Sequence, residues 1–146
     1  MGYALFFARK LSLTARVNQM NAQLMVISNQ QNDLTNQIAA KQNAMNTRTA
    51  TANLTAAKNY KSAIGDGSDS SKVTAAQSAY DEAMAQNSLL NTTDDIDIQG
   101  LQSQVDALDL RRETLETQLT AAQQELEAVE KAEESAIKAA TPKYVG

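Results

Sequence analysis

The sequence predicts an all-α protein, an elongated antiparallel coiled-coil helical hairpin with a short middle helix. Apolar residues recur in alternating steps of three and four in both halves of the chain, the spacing of a coiled-coil seam. A cluster of turn residues, Ile64-Gly65-Asp66-Gly67-Ser68-Asp69-Ser70-Ser71, divides those halves. The composition agrees: 25 Ala and 25 Asn plus Gln stand among 146 residues, with five Gly and one Pro. Such a mixture suits helices with narrow apolar seams better than a thick globular core.

The first helix is expected over about 4–62. Its seam runs Phe6, Lys10, Leu13, Val17, Met20, Leu24, Ile27, Gln31, Leu34, Ile38, Lys41, Met45, Arg48 and Ala52, of which ten are apolar. At ~1.5 Å per residue such a helix measures ~90 Å. Its distal end, Thr47 to Asn59, is rich in Asn and Thr, mediocre helix formers. The turn follows over 64–71, and Ser70 or Ser71 can cap a middle helix of about 72–90. That helix carries the stripe Val73, Ala76, Tyr80, Ala83 and Leu90, with Asn87 in the gap.

A second break is expected at 91–97, Asn91-Thr92-Thr93-Asp94-Asp95-Ile96-Asp97, whose acids suit the positive end of the helix beginning there. The last helix, about 98–140, carries the cleanest seam. From Ile98 through Leu101, Val105, Leu108, Arg112, Leu115 and Leu119 to Glu133, Ala136 and Ala140 the steps alternate without a break. Thr141-Pro142 ends it, and 141–146 form a tail.

A register follows from the polar interruptions of the two long seams. Lys10 and Gln31 are 21 residues apart, as are Arg112 and Glu133. Polar seam residues fix register at some cost in stability. If position i faces 143 − i, Lys10 meets Glu133 and Gln31 meets Arg112, and about nine residues near 91–98 loop out. Lys41 and Arg48 then have no assigned partner.

Charge is segregated. Residues 1–61 carry seven bases against Asp33 alone, a net +6, whereas 62–146 carry six bases against 16 acids, a net −10. The two halves are therefore expected to meet, within one molecule or between molecules. Scattered bases without an aromatic platform do not suit nucleic acid.

The chain has no His and no Cys, which excludes ordinary zinc ligation, disulfides, a thiol nucleophile and an imidazole base. Asp66-Gly67-Ser68-Asp69 and Asp94-Asp95-Ile96-Asp97 lack the spaced ligands and closing Glu of a calcium loop. Gly65-Asp66-Gly67 lacks the Lys-Ser/Thr of a phosphate loop. Paired acids such as Glu133-Glu134 belong to a solvated helix face with no cleft. An enzyme is not expected, nor a cofactor, a metal or a small-molecule substrate.

The longest apolar run, Tyr3 to Ala8, is six residues, against the ~20 that cross a bilayer. No cleaved signal is apparent, and Phe6 stands where a myristoylation start wants Ser or Thr. Both Phe residues nevertheless fall in one turn beside bases. Tyr3, Leu5, Phe6, Phe7, Arg9, Lys10 and Arg16 form the candidate interaction segment. It suits a contact between copies best, with an interfacial membrane anchor over residues 3–16 and a cap near Tyr144 and Val145 as alternatives. A two-helix seam buries each side chain from one side only, so association with further copies is expected.

Two resemblances accompany these features. Ala8-Arg9-Lys10-Leu11-Ser12-Leu13-Thr14-Ala15-Arg16, followed by Ile27-Ser28-Asn29-Gln30-Gln31, resembles the start of a group of small, uncharacterised bacterial coiled-coil proteins. The whole chain is similar in composition and architecture to flagellin-like and type III secretion filament or needle subunits. Those families also lack Cys and Trp and pair their terminal helices in a filament core. The chain departs from them in having no large variable domain and no placeable terminal flagellin motif, so no residue roles carry over.

The expected function is a self-assembling helical subunit of a bacterial filament or of a surface or secretion-type assembly. Its expected place is extracellular or at the cell surface by a route without a signal peptide, with the cytoplasm as the alternative. A peripheral membrane or adaptor protein and a partner-binding coiled-coil chaperone are the other candidate functions.

Overall fold

The computed structural model describes residues 2–140, with side chains described from 4 to 139. Two helices fill this span, α1 (Gly2–Ile64) and α2 (Ser70–Ala140), and among the described residues there is no strand. The chain divides into two units. Unit 1 pairs residues up to 32 of α1 with residues from 106 of α2, and unit 2 comprises 33–105 with the turn. In both units the helical segments run antiparallel, as the hairpin prediction requires.

The two breaks fare differently. At the first, Gly65 (φ +57°) and Gly67 (φ +81°) take the left-handed conformation that glycine adopts without a Cβ penalty. The Gly67 amide donates to the Ile64 carbonyl at 2.9 Å. Asp66 Oδ1 accepts from the Ser68 amide at 3.0 Å and from the Ser68 hydroxyl at 2.7 Å. The cap of α2 is Asp69, not Ser70 or Ser71. Its Oδ1 accepts from the amides of Ser71 (3.0 Å) and Lys72 (3.4 Å), satisfying donors that a helix start leaves open.

The second break is absent. Residues 91–97 are helical, and the segment 72–90 is the first part of α2 rather than a separate middle helix. Thr92 and Thr93 return their hydroxyls to the Ser88 and Leu89 carbonyls at 3.0 and 3.1 Å, so neither opens the helix. The reason lies in the seam. Asn91 and Asp94 occupy it, and both find partners on α1 (below).

The seam of α1 matches its prediction at every position from Phe6 to Ala52, none of which is exposed. Beyond Ala52 the covered positions are Ala56, Tyr60 and Ile64, four residues apart each time. Steps of four move the contact stripe around the helix, as an inserted stutter does. In α2 the same departure puts Asn91 in the seam and leaves Leu90 51% exposed. From Ile98 to Glu133 the predicted seam is covered throughout; Ala136 turns out exposed, and the side chain of Ala140 lies outside the described residues. The cores are thin. Leu13, Ile27, Leu115, Ala122 and Val129 are buried in unit 1, Ala56 and Ala76 in unit 2. Tyr60 and Tyr80 close the turn end of unit 2 edge to face, 6.0 Å between ring centroids.

Candidate interaction surfaces

Cross-helix pairing is electrostatic as well as apolar, and it joins the basic half to the acidic half within one chain. In unit 1 Arg9 reaches Glu125 at 3.0 Å, Lys10 lies 3.9 Å from Glu130, and Gln31 donates to Asp109 at 3.1 Å. In unit 2 Lys41 reaches Asp97 at 3.1 Å, and Arg48 pairs with Asp94 and donates to Asn91 Oδ1 at 2.9 Å. Thr49 Oγ1 accepts from Asn91 at 3.0 Å and from the buried Asn87 at 3.4 Å. Lys41, Arg48, Thr49, Asn87, Asn91 and Asp94 form a polar layer inside the seam, with the exposed Asp97 at its edge.

The register of 143 − i is therefore corrected. Lys10 pairs one turn earlier than Glu133, and Gln31 meets Asp109 rather than Arg112. In both pairs the residue numbers add to 140. Arg112 instead binds along its own helix, to Asp109 at 2.8 Å and Glu116 at 3.8 Å, so it shares Asp109 with Gln31. Glu133 is half-covered and lines a shallow groove with Lys10, Glu130 and Ile137. Because no loop is expelled at 91–97, the offset it was to absorb does not exist. Lys41 and Arg48, left without partners by that register, meet Asp94.

The predicted interaction segment divides by helix face. Phe6 is half-covered in the seam, whereas Leu5 and Phe7 are 69% and 58% exposed. Arg9 and Lys10 are committed to Glu125 and Glu130, and Arg16 is exposed. Tyr3 lies within α1, but its side chain falls outside the described residues, as do Tyr144, Val145 and the tail.

A second surface escaped the sequence reading. On the side of α1 facing away from α2, unit 1 carries another stripe with alternating steps of four and three. From Ala4 to Asn29 it reads Ala, Ala, Leu, Ala, Asn, Ala, Met, Asn, and all eight positions are exposed. In unit 2 the spacing resumes from Asn36 to Ala57 with Asn and Ala only, again all exposed. Neither stretch holds a charge. The back of α2 in unit 1 is mixed: stepping likewise from Asp106 to Lys138, six of ten exposed positions are charged, whereas the adjacent row from Ala107 to Ala128 is exposed and uncharged. The signal was present in the sequence as a heptad pattern of small and amide residues, which a search for large apolar residues passes over.

Chemically the two helices offer little beyond contact. Among the described residues no group of three or more His, Cys, Asp or Glu could hold a metal ion, and no helix is long and apolar enough to cross a membrane. Among the described residues the pKa of Asp66 is held below the usual 3.8, first by the Ser68 hydroxyl and then by the Ser68 amide. It belongs to the turn. Comparison of the chain with protein families, with curated proteins and with solved structures finds no match.

Proposed function

We propose that this chain is a structural, self-assembling helical subunit with no catalytic role, of the kind that builds a bacterial filament or a surface or secretion-type assembly. The observation that carries the proposal is apolar surface left uncovered on α1: Leu5, Phe7, Leu11, Met25 and Val26 are each more than half exposed. Isolated apolar residues are ordinary on a protein surface. Five within 22 residues of one helix, beside a core of few buried side chains, favour burial against another molecule.

Negative-stain electron microscopy with light scattering on purified protein, without lipid, tests the proposal. Ordered filaments or sheets are the expected result. A discrete monomer or dimer at high concentration overturns it.

Docking of residues 3–16 on a membrane surface is the competing function, favoured by the exposure of Leu5 and Phe7. It is weakened because Arg9 and Lys10, which would meet anionic headgroups, are already paired with Glu125 and Glu130. Co-sedimentation with anionic liposomes that disappears in Leu5→Ser/Phe7→Ser, from a wild type that forms no assemblies, would establish docking instead.

A further inference from the structure

Two antiparallel helices side by side make a ribbon with two broad faces, and in unit 1 those faces carry opposite charge. We infer that the basic face of one copy of this chain seats on the acidic face of the next. The inference rests on the self-assembly proposed above and names the contact that performs it. Positions that flank a heptad seam on one side of a helix adjoin the same flank of an antiparallel partner. Arg9 meeting Glu125 fixes one face in this way. Lys10 meeting Glu130 and Gln31 meeting Asp109 fix the other.

On the first face α1 supplies Leu5, Arg9, Arg16 and Val26, and α2 supplies Arg111 and Glu125. Three arginines against one acid leave a net +2. Arg111 lines a shallow groove there with Gln19, Gln23, Val26 and Gln30, residues of α1. Arg16 and Arg111 are exposed, and neither makes an ion pair among the described residues.

On the second face the exposed positions of α1 are uncharged, from Phe7 and Leu11 to Met25 and Asn32. The acids of α2 in unit 1, all but Glu125, belong to this face: eight of them against Lys10, Arg112, Lys131 and Lys138, a net −4. Those four cations are already held there, by Glu130, Asp109, Glu116, Glu127 and Glu134. Glu113 is exposed and makes no ion pair among the described residues. Glu133, Glu134 and Ile137 line a second shallow groove on this side.

Complementarity selects the occupant. Acid on acid and base on base repel, whereas the two unlike faces attract and fix which way copies meet. Attraction between exposed charges is weak by itself, and apolar side chains accompany it on both faces. Leu5 and Val26 stand exposed among the arginines, Phe7 and Ile137 among the acids. A contact of face on face covers all four. Because the two surfaces differ, the contact is heterologous: every copy added leaves one face of each kind open, and a row that does not close on itself grows without limit.

The test reverses each face in the full chain and then mixes the two variants. Arg16→Glu/Arg111→Glu takes the basic face to a net −2, and Glu113→Lys/Glu127→Lys/Glu134→Lys takes the acidic face to a net +2. Circular dichroism monitors helix content, and sedimentation velocity with light scattering at low salt monitors assembly. Where a reversal lowers helix content, the corresponding Gln variant replaces it and is expected to raise the threshold as well. Expected are an assembling wild type and two variants that each stay unassembled to at least about tenfold higher concentration. Their equimolar mixture is expected to assemble near the wild-type threshold, since each offers the face that the other lacks. If the variants assemble alone as the wild type does, if one face alone matters, or if the mixture stays unassembled, the pairing of faces is overturned while self-assembly stands. A wild type that remains monomeric or dimeric overturns self-assembly itself, and its capture by anionic liposomes through Arg16 and Arg111 would give the basic face to a membrane instead.

Discussion

Gly65 and Gly100 are both free of neighbours, and nothing lies within 4 Å of a Cβ built on either. Their backbones differ. Gly65 ends α1 at φ +57°, where a Cβ costs about 1 kcal/mol. Gly100 lies inside α2, where glycine is about 0.5–1 kcal/mol worse than alanine. Gly65→Ala is therefore expected to lower stability to urea by about 1 kcal/mol, and Gly100→Ala to raise it by a similar amount. Equal effects would show that the turn does not hold its left-handed residue. Asp66, in the same turn, has a depressed folded pKa. Its contribution is thus present above the unfolded value and is lost as pH falls through the folded one. A carboxyl titration followed by NMR should place its midpoint below 3.8. At this scale the sequence misleads by one residue: Asp, Ser and Ser stand together at 69–71, all are good caps, and only backbone geometry selects Asp69.

Within the elements, the apolar seams were legible and the polar ones were not. Ile98 to Glu133 could be placed from spacing alone because apolar residues recur at every step but Arg112 as far as Val129. At 91–97 propensity pointed to a break, and pairing across the seam overrode it: Asp94 is 20% exposed with Arg48 and Lys41 against it. That override is testable. Asp94→Asn leaves the half-covered Arg48 without a carboxylate, while Lys41 keeps Asp97, and is expected to cost about 1–2 kcal/mol in urea unfolding, less than a fully buried pair because the groups keep some water. Replacing the triad by Lys41→Met/Arg48→Met/Asp94→Leu is expected to give a protein at least as stable as the wild type. If Asp94→Asn is silent, the ion cluster does not hold 91–97 in the helix. The register failed for a related reason. Matching intervals of 21 residues seemed to pair Gln31 with Arg112, but in an antiparallel seam one turn either way offers another partner, and Asp109 was there.

For the whole molecule the balance of charge decides between two ways of assembling. Contact between the basic face of one copy and the acidic face of another is an attraction between exposed charges. Salt screens it over a Debye length of about 10 Å at 0.1 M, so such assemblies weaken as salt rises. Contact through the uncharged stripe of α1 responds in the opposite sense. It gains nothing from charge, while the net charge of −4 and the acidic α2 faces set copies against one another. Salt removes that repulsion and leaves an uncharged contact untouched. With unlike faces seated on one another, the threshold concentration for assembly is expected to climb between 20 mM and 500 mM sodium chloride, read by light scattering at neutral pH. A threshold that falls with salt, or stays constant, would assign assembly to the Ala and Asn stripe of α1, and would leave the exposed Arg16 and Arg111 without a role.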